Sequence, residues 1–223
     1  MQKIDALTDL TLLDENASTT HIEQLVAQAL ERRVAAVCVY PKHLKYISQQ
    51  IRRATVINFP SGEQPHDIVL QDLENIIVHH LAEEIDYVFP YTLFLNGRSE
   101  EAFSRYRDIS QLCTQHQLLL KVILETGAFP SEKLIETVSL ALIEQGCTFL
   151  KTSTGKISTG ATLEAASAIL TAIHISNTPC GLKISGGIRT NEQALSYMQL
   201  AKTMLNRELD ATWFRIGRSV TLL

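Results

Sequence analysis

Long apolar runs are missing from this chain: no stretch reaches the roughly 18 uninterrupted apolar residues of a membrane span. The opening MQKIDALTDL also lacks the continuous apolar core of an export signal. Cation clusters are missing too. Lys and Arg total 20 against 24 Asp and Glu, a net charge of −4, with no dense basic stretch to track a phosphate backbone, so nucleic acid is not an expected partner. Cysteine is sparse: Cys38, Cys113, Cys147 and Cys180 form no CxxC pair, which excludes a zinc knuckle and a disulfide framework and fits a reducing cytoplasm. The seven histidines, including adjacent His79 and His80, make no HExxH-type arrangement; they are read as solvated helix positions, and no metal is expected. Pro/Gly/Ser-rich linkers, low-complexity tracts and long-period repeats are likewise lacking, which leaves one domain over residues 1–223.

What is present is alternation. Short β-branched and apolar runs at Leu7–Leu10, Ala35–Tyr40, Ala54–Phe59, Ile85–Phe89, Leu118–Leu124, Thr148–Ser153, Gly181–Ser185 and Thr212–Ile216 are separated by amphipathic segments. Thr20 with Glu23 reads as a capping box opening one helix, Ser131 and Thr190 as the caps of two others, and Gly146 as a stop. The stripe after Thr190 is Ala194, Leu195 and Met198. Eight strands joined by helical crossovers at roughly 25–30 residues per unit predict an α/β fold of the closed (β/α)8 barrel kind. A doubly wound open sheet is the fallback, although no G-x-G-x-x-G follows the first strand. Few residues precede the first strand or follow the last, so a shortened N-terminus and a truncated eighth helix are expected. The groove so left is expected either to be covered by a partner subunit, making a homo-oligomer, or to stay partly exposed.

Polar residues that interrupt apolar strands carry the chemistry. In TFLKTSTGK, Lys151 sits where an unpaired ammonium costs several kcal/mol unless its pKa falls. A neutral amine there can condense with a carbonyl to a Schiff base. Lys183 in GLKISGG occupies a comparable point of the next strand, within coupling distance, so one lysine lowers the pKa of the other. A lone strand lysine is more often solvent-facing; two on adjacent core strands weaken that reading. Asp86 in EIDYVFPY can pair with a lysine or move protons, and a purely structural ion pair to Lys183 or Lys121 is the plainer alternative. Lys121 is read as a third cation in the same cavity, and Asp9 either reaches its mouth or serves as a turn residue.

Three glycine clusters follow the sixth to eighth strands: Gly155 with Lys156, Gly186 with Gly187, and Gly217 with Arg218 and Ser219. Exposed backbone N–H groups and a helix N-terminus make such turns anion sites, and barrels of this kind bind phosphate there. Gly155–Lys156 is not a P-loop, since Leu150 and Ile157 replace the required Gly and Ser/Thr.

The segments DLTLL, AAVCVYP, ATVINFPSG, EIDYVFP, LLKVILETG, FLKTSTGK and GLKISGGIR resemble the deoxyribose-phosphate aldolases from the first strand to the last. The resemblance implies a (β/α)8 class I aldolase that cleaves 2-deoxy-D-ribose 5-phosphate to D-glyceraldehyde 3-phosphate and acetaldehyde without cofactor or metal. It implies Lys151 as the Schiff-base lysine, Lys183 as the group lowering its pKa, Asp86 as a proton relay through water, and Asp9 and Cys38 as pocket residues. Lys156, Gly186, Gly187, Gly217 and Ser219 match the phosphate-holding residues. The chain departs from the family pattern in having Ile184–Ser185 for Pro-Ala and Val220 for a second serine, and in stopping at Leu223 where many members carry a further tail. Weaker phosphate binding and slower enamine protonation are the corresponding expectations. The rival expectations are a lysine-dependent aldolase of another aldehyde and a sugar-phosphate-binding barrel without turnover.

Overall fold

A computed structural model describes residues 2–220. Eight parallel strands close into a barrel in sequence order, with β8 pairing back to β1. The strands are β1 (Thr8–Leu12), β2 (Ala36–Val39), β3 (Arg53–Ile57), β4 (Glu84–Val88), β5 (Leu119–Ile123), β6 (Phe149–Lys151), β7 (Gly181–Ile184) and β8 (Phe214–Ser219). The helices are α1 (Gln2–Asp5), α2 (Thr19–Arg32), α3 (His66–Val78), α4 (Tyr91–Leu95), α5 (Ser99–Gln115), α6 (Glu132–Glu144), α7 (Leu163–Ser176) and α8 (Asn191–Leu205). This is the (β/α)8 barrel that the alternation predicted. Among the described residues, no helix is long and apolar enough to cross a membrane.

Several local readings are corrected. The cap of α2 is Ser18, in extended conformation, whose side chain accepts from the His21 N–H while the His21 ring accepts from the Ser18 N–H; Thr20 and Glu23 lie inside the helix. Leu195 is exposed, because the buried face of α8 runs through Ala194, Tyr197, Met198 and Ala201. The crossover from β2 to β3 carries only a short 3₁₀ turn segment, Pro41–Tyr46, too short for the expected unit. That turn buries His43 rather than leaving it solvated, and His79 and His80 follow α3 instead of belonging to it. Ser131 and Thr190 cap α6 and α8 as expected. The truncated eighth helix expected over Arg218–Leu223 is not formed at its start, since Arg218 and Ser219 belong to β8; residues 221–223 lie outside the described ones.

Two layers of apolar contact hold the barrel. The outer, between strands and helices, takes most of the buried aliphatic and aromatic side chains. The inner one is small: Ala36, Cys38, Ala54 and Val56 on β2 and β3. Because successive side chains alternate faces, the inward positions of the other strands include Asp9, Glu84, Asp86, Lys121, Lys151, Lys183 and Arg215, with the apolar Val88, Ile123 and Phe149 sharing the faces of Asp86, Lys121 and Lys151. Small residues on β2 and β3, with Gly217 on β8, leave the volume these long charged side chains need, while Gly181 on β7 makes room for the Phe149 ring. A Cβ at Gly217 would meet the Lys183 Cε at 3.2 Å.

Candidate active site

Lys151 and Lys183 are direct partners in the β6–β7 register, and Asp86 faces Lys121 across β4–β5. The two amines converge on one oxygen: Lys151 Nζ and Lys183 Nζ each lie 2.8 Å from Asp86 Oδ2. The other Asp86 oxygen accepts from Lys121 Nζ at 2.9 Å. Lys183 also reaches Asp9 Oδ2 at 2.7 Å, and Asp9 Oδ1 accepts from Arg215 Nη1 at 2.6 Å. Glu84 completes the assembly, accepting from Lys121 at 2.5 Å and from Arg215 at 3.1 Å. All seven groups are buried.

Their titrations are pulled apart by these contacts. Burial pushes Lys151 below the ordinary lysine value; the Lys183 ammonium adds to that depression, while Asp86 opposes it. Burial acts the same way on Lys183, but Asp86 and Asp9 outweigh it and hold Lys183 above the ordinary value. Asp86 and Asp9, whose burial alone would raise them, are held below the carboxylate range by the surrounding cations. Two lysines one strand apart therefore differ in kind: Lys183 keeps its proton, and Lys151 is the one that releases it more readily. Cys38, sealed beside them, is pushed up to about 11 by burial and by Asp86, which keeps it a thiol.

A cavity of about 640 Å³ opens above the amines. Lys151 and Lys183 form its floor, while Gly155, Lys156, Gly186, Gly187, Gly217 and Ser219 lie on its walls. Among the described residues, six basic side chains, Arg32, Lys151, Lys156, Lys183, Arg189 and Arg218, line it and no acidic one does. Gly186 and Gly187, on the cavity wall, adopt φ of 88° and 87°, left-handed conformations that suit glycine. Lys156 is tied by its Nζ to the Leu13 carbonyl at 2.8 Å. Asp9, Cys38, Asp86 and Lys121 do not line this cavity; they lie beneath it among the buried charges. The departures meet the cavity differently: Ser185 and Val220 line it, whereas Ile184 is buried in the outer core. Among the described residues, no cluster of His, Cys, Asp and Glu side chains is arranged to hold a metal ion.

Residues of the site not singled out in the sequence include Arg32 and Arg189 on the cavity wall, and Glu84, Arg215, Glu125 and Thr154. Glu84 and Arg215 lie two positions before Asp86 and Gly217, so the two-residue strand period carried a signal for both. Glu125, just past β5 in a left-handed conformation, takes the Thr154 hydroxyl and lies 3.3 Å from the Thr154 N–H. Burial raises this carboxyl above its ordinary value, with the Thr154 hydrogen bonds opposing. No sequence pattern announces that turn. Thr154 in turn accepts from the Lys156 N–H at 3.0 Å, so the loop over β6 is pinned from beneath.

Barrel, buried amines and cation-lined cavity together define a class, the (β/α)8 aldolases. Within it, the chain belongs to the DeoC/LacD family of aldolases, whose family model matches residues 2–220. It is similar in structure to an aldolase designated QR15, with 28% identity, a TM-score of 0.83, and 98% of this chain aligned over 92% of that one. A protein of Coccidioides immitis provisionally assigned as a deoxyribose-phosphate aldolase gives 26% identity and a TM-score of 0.86, covering 97% of this chain and 82% of that one. The tetrameric deoxyribose phosphate aldolase of Aeropyrum pernix, at 22% identity and a TM-score of 0.79, covers 97% and 87%; that likeness speaks for the fold alone.

Proposed function

We propose that the protein is a class I aldolase that reversibly cleaves 2-deoxy-D-ribose 5-phosphate into D-glyceraldehyde 3-phosphate and acetaldehyde, with Lys151 as the Schiff-base lysine. The observation that carries this reading is the unequal lysine pair: two amines share one carboxylate oxygen, and the cavity-floor amine with the lowered pKa is Lys151. A neutral Lys151 attacks the C1 aldehyde and water leaves, giving an iminium that accepts electrons. Loss of the C3 hydroxyl proton then breaks the C2–C3 bond, releasing D-glyceraldehyde 3-phosphate and leaving an enamine on the lysine. Protonation of the enamine at carbon and hydrolysis of the imine release acetaldehyde and restore the amine. Asp86 lies beneath the cavity rather than on its wall, so its exchange with the C3 hydroxyl runs through water or through Lys183. The glycines, Lys156 and Ser219 hold the phosphate at the upper wall, away from the amines. No organic cofactor enters this sequence of steps.

Borohydride reduction in the presence of acetaldehyde tests the reading. One ethyl adduct on Lys151 is expected by peptide mass mapping, with none on Lys151→Met; absence of an adduct from the native protein overturns it. Faster turnover of the 5-phosphate than of free deoxyribose supports the phosphorylated substrate, and equal turnover points to another aldehyde. Self-association, as in the Aeropyrum pernix protein, belongs to the same proposal and is checked by sedimentation.

A further inference from the structure

The buried charges close on themselves. Followed from contact to contact, Arg215, Asp9, Lys183, Asp86, Lys121 and Glu84 alternate in sign and return to Arg215, each neighbour within 3.1 Å. A weaker chord, Lys121 to Asp9 at 3.7 Å, crosses this ring. Three cations and three carboxylates make it neutral without any further group. Lys151 is a seventh member attached from outside, on the Asp86 oxygen that Lys183 already occupies.

We infer that Glu84 and Arg215, which do not line the cavity, are positioning residues that set the charge state of Lys151 by keeping this ring neutral without it. A protonated Lys151 gives the buried assembly an uncompensated positive charge; a deprotonated one leaves it balanced. Desolvation makes such an excess costly, because field strength grows as water is excluded. The lysine directly paired with it thus need not carry the whole effect. The groups that face Lys151 are Asp86 from β4, Lys183 from β7, Cys38 from β2 and Glu125 from the end of β5. Asp9, Lys121, Glu84 and Arg215 lie one contact further round the ring. Arg52, more than half exposed, touches Glu84 from outside at 3.5 Å, where solvent screens it.

The inference rests on Lys151 being the Schiff-base lysine, and it predicts opposite effects for two substitutions that both damage the ring. Glu84→Gln keeps the shape and removes a negative charge, so the ring itself becomes positive and Lys151 is harder to protonate. Arg215→Met removes a positive charge, so the ring becomes negative and Lys151 holds its proton more tightly. The measurement is the pH dependence of borohydride trapping with acetaldehyde, whose acid limb reports the free amine. The limb is expected to move by roughly one pH unit to lower pH in Glu84→Gln and by about as much to higher pH in Arg215→Met. Arg215→Lys, which keeps the charge, is expected to leave the limb near that of the native protein.

Shifts of the same sign in Glu84→Gln and Arg215→Met, or an unmoved limb in Glu84→Gln, overturn the inference, since loss of packing alone has no reason to reverse sign with charge. If Arg215→Met does not fold, the isosteric Glu84→Gln decides alone by the direction of its shift. Trapping at Lys151 in the native protein together with an unmoved limb in Glu84→Gln refutes the ring's role and leaves the Schiff-base reading standing. A native protein that never traps refutes that reading itself.

Discussion

Gly160 lines no part of the cavity, yet its substitution by alanine is expected to weaken phosphate binding. A Cβ on Gly160 would stand 2.3 Å from the Gly186 carbonyl oxygen and 2.6 Å from its carbonyl carbon. Both partners are backbone, so no flexible side chain can swing aside. The Gly186 carbonyl is also held by the Ala161 N–H at 3.0 Å, which ties the two loops together at this point. Ordinary separation requires the loops to part by roughly 1 Å. Overpacking of that kind costs about 1–3 kcal/mol, and for a chain of this size each kcal/mol lowers the melting temperature by about 2–4 °C. The glycine N–H groups of the β7–α8 loop move with Gly186. If one hydrogen bond to a charged phosphate is lost, worth about 1.5–3 kcal/mol, the KM for the 5-phosphate rises roughly 10- to 100-fold. Turnover of unphosphorylated deoxyribose changes little, because the amines beneath are untouched. Retro-aldol kinetics on both substrates, with thermal unfolding by circular dichroism, read all three quantities. Unchanged KM and melting temperature would refute the claim that these two loops form one rigid wall, and equal losses on both substrates would refute its link to phosphate.

Two further predictions concern stability. Asp9 and Asp86 have folded pKa values depressed below those of the unfolded chain, so their contribution is complete above the unfolded value of about 3.9 and is lost as pH falls through the folded values. Denaturant unfolding at a series of pH values is expected to show stability falling as pH drops below about 4, and a flat acid side would contradict the assigned ion pairs. Ser18→Ala removes the cap of α2 and is expected to cost about 1 kcal/mol by the same assay, whereas Thr20→Ala, inside the helix, costs little.

The barrel was legible because its strands are short apolar, β-branched runs whose spacing repeats, and that repetition survives errors of one or two residues at each boundary. The lysine pair was legible for the same reason: Lys151 and Lys183 sit at matching points of adjacent strands, and parallel pairing turns matching sequence positions into spatial contact. Glu84 and Arg215 were harder to read. Their partners come from remote parts of the chain, Arg215 and Asp9 being 206 residues apart, and only closure of the barrel brings them together. The α2 cap was misplaced because three consecutive hydroxyl residues, Ser18, Thr19 and Thr20, offer the same chemistry and only backbone conformation selects among them. The buried Glu125 depends on a left-handed turn at a residue other than glycine, a conformation that packing imposes and composition does not advertise.

The six-membered ring also bears on the order in which the molecule can be completed. Its members come from β1, β4, β5, β7 and β8, so a nascent chain lacking its last strand holds Asp9 and Glu84 without Arg215, and the ring is open. A partial barrel that dried these side chains would carry charge that only the final seam neutralises, at a cost nothing short of closure offsets. Closure of β8 against β1 is then expected to be concerted with the drying of the interior. Three cations and three carboxylates drawn from five strands thus tie neutralisation of the interior to closure of the last seam.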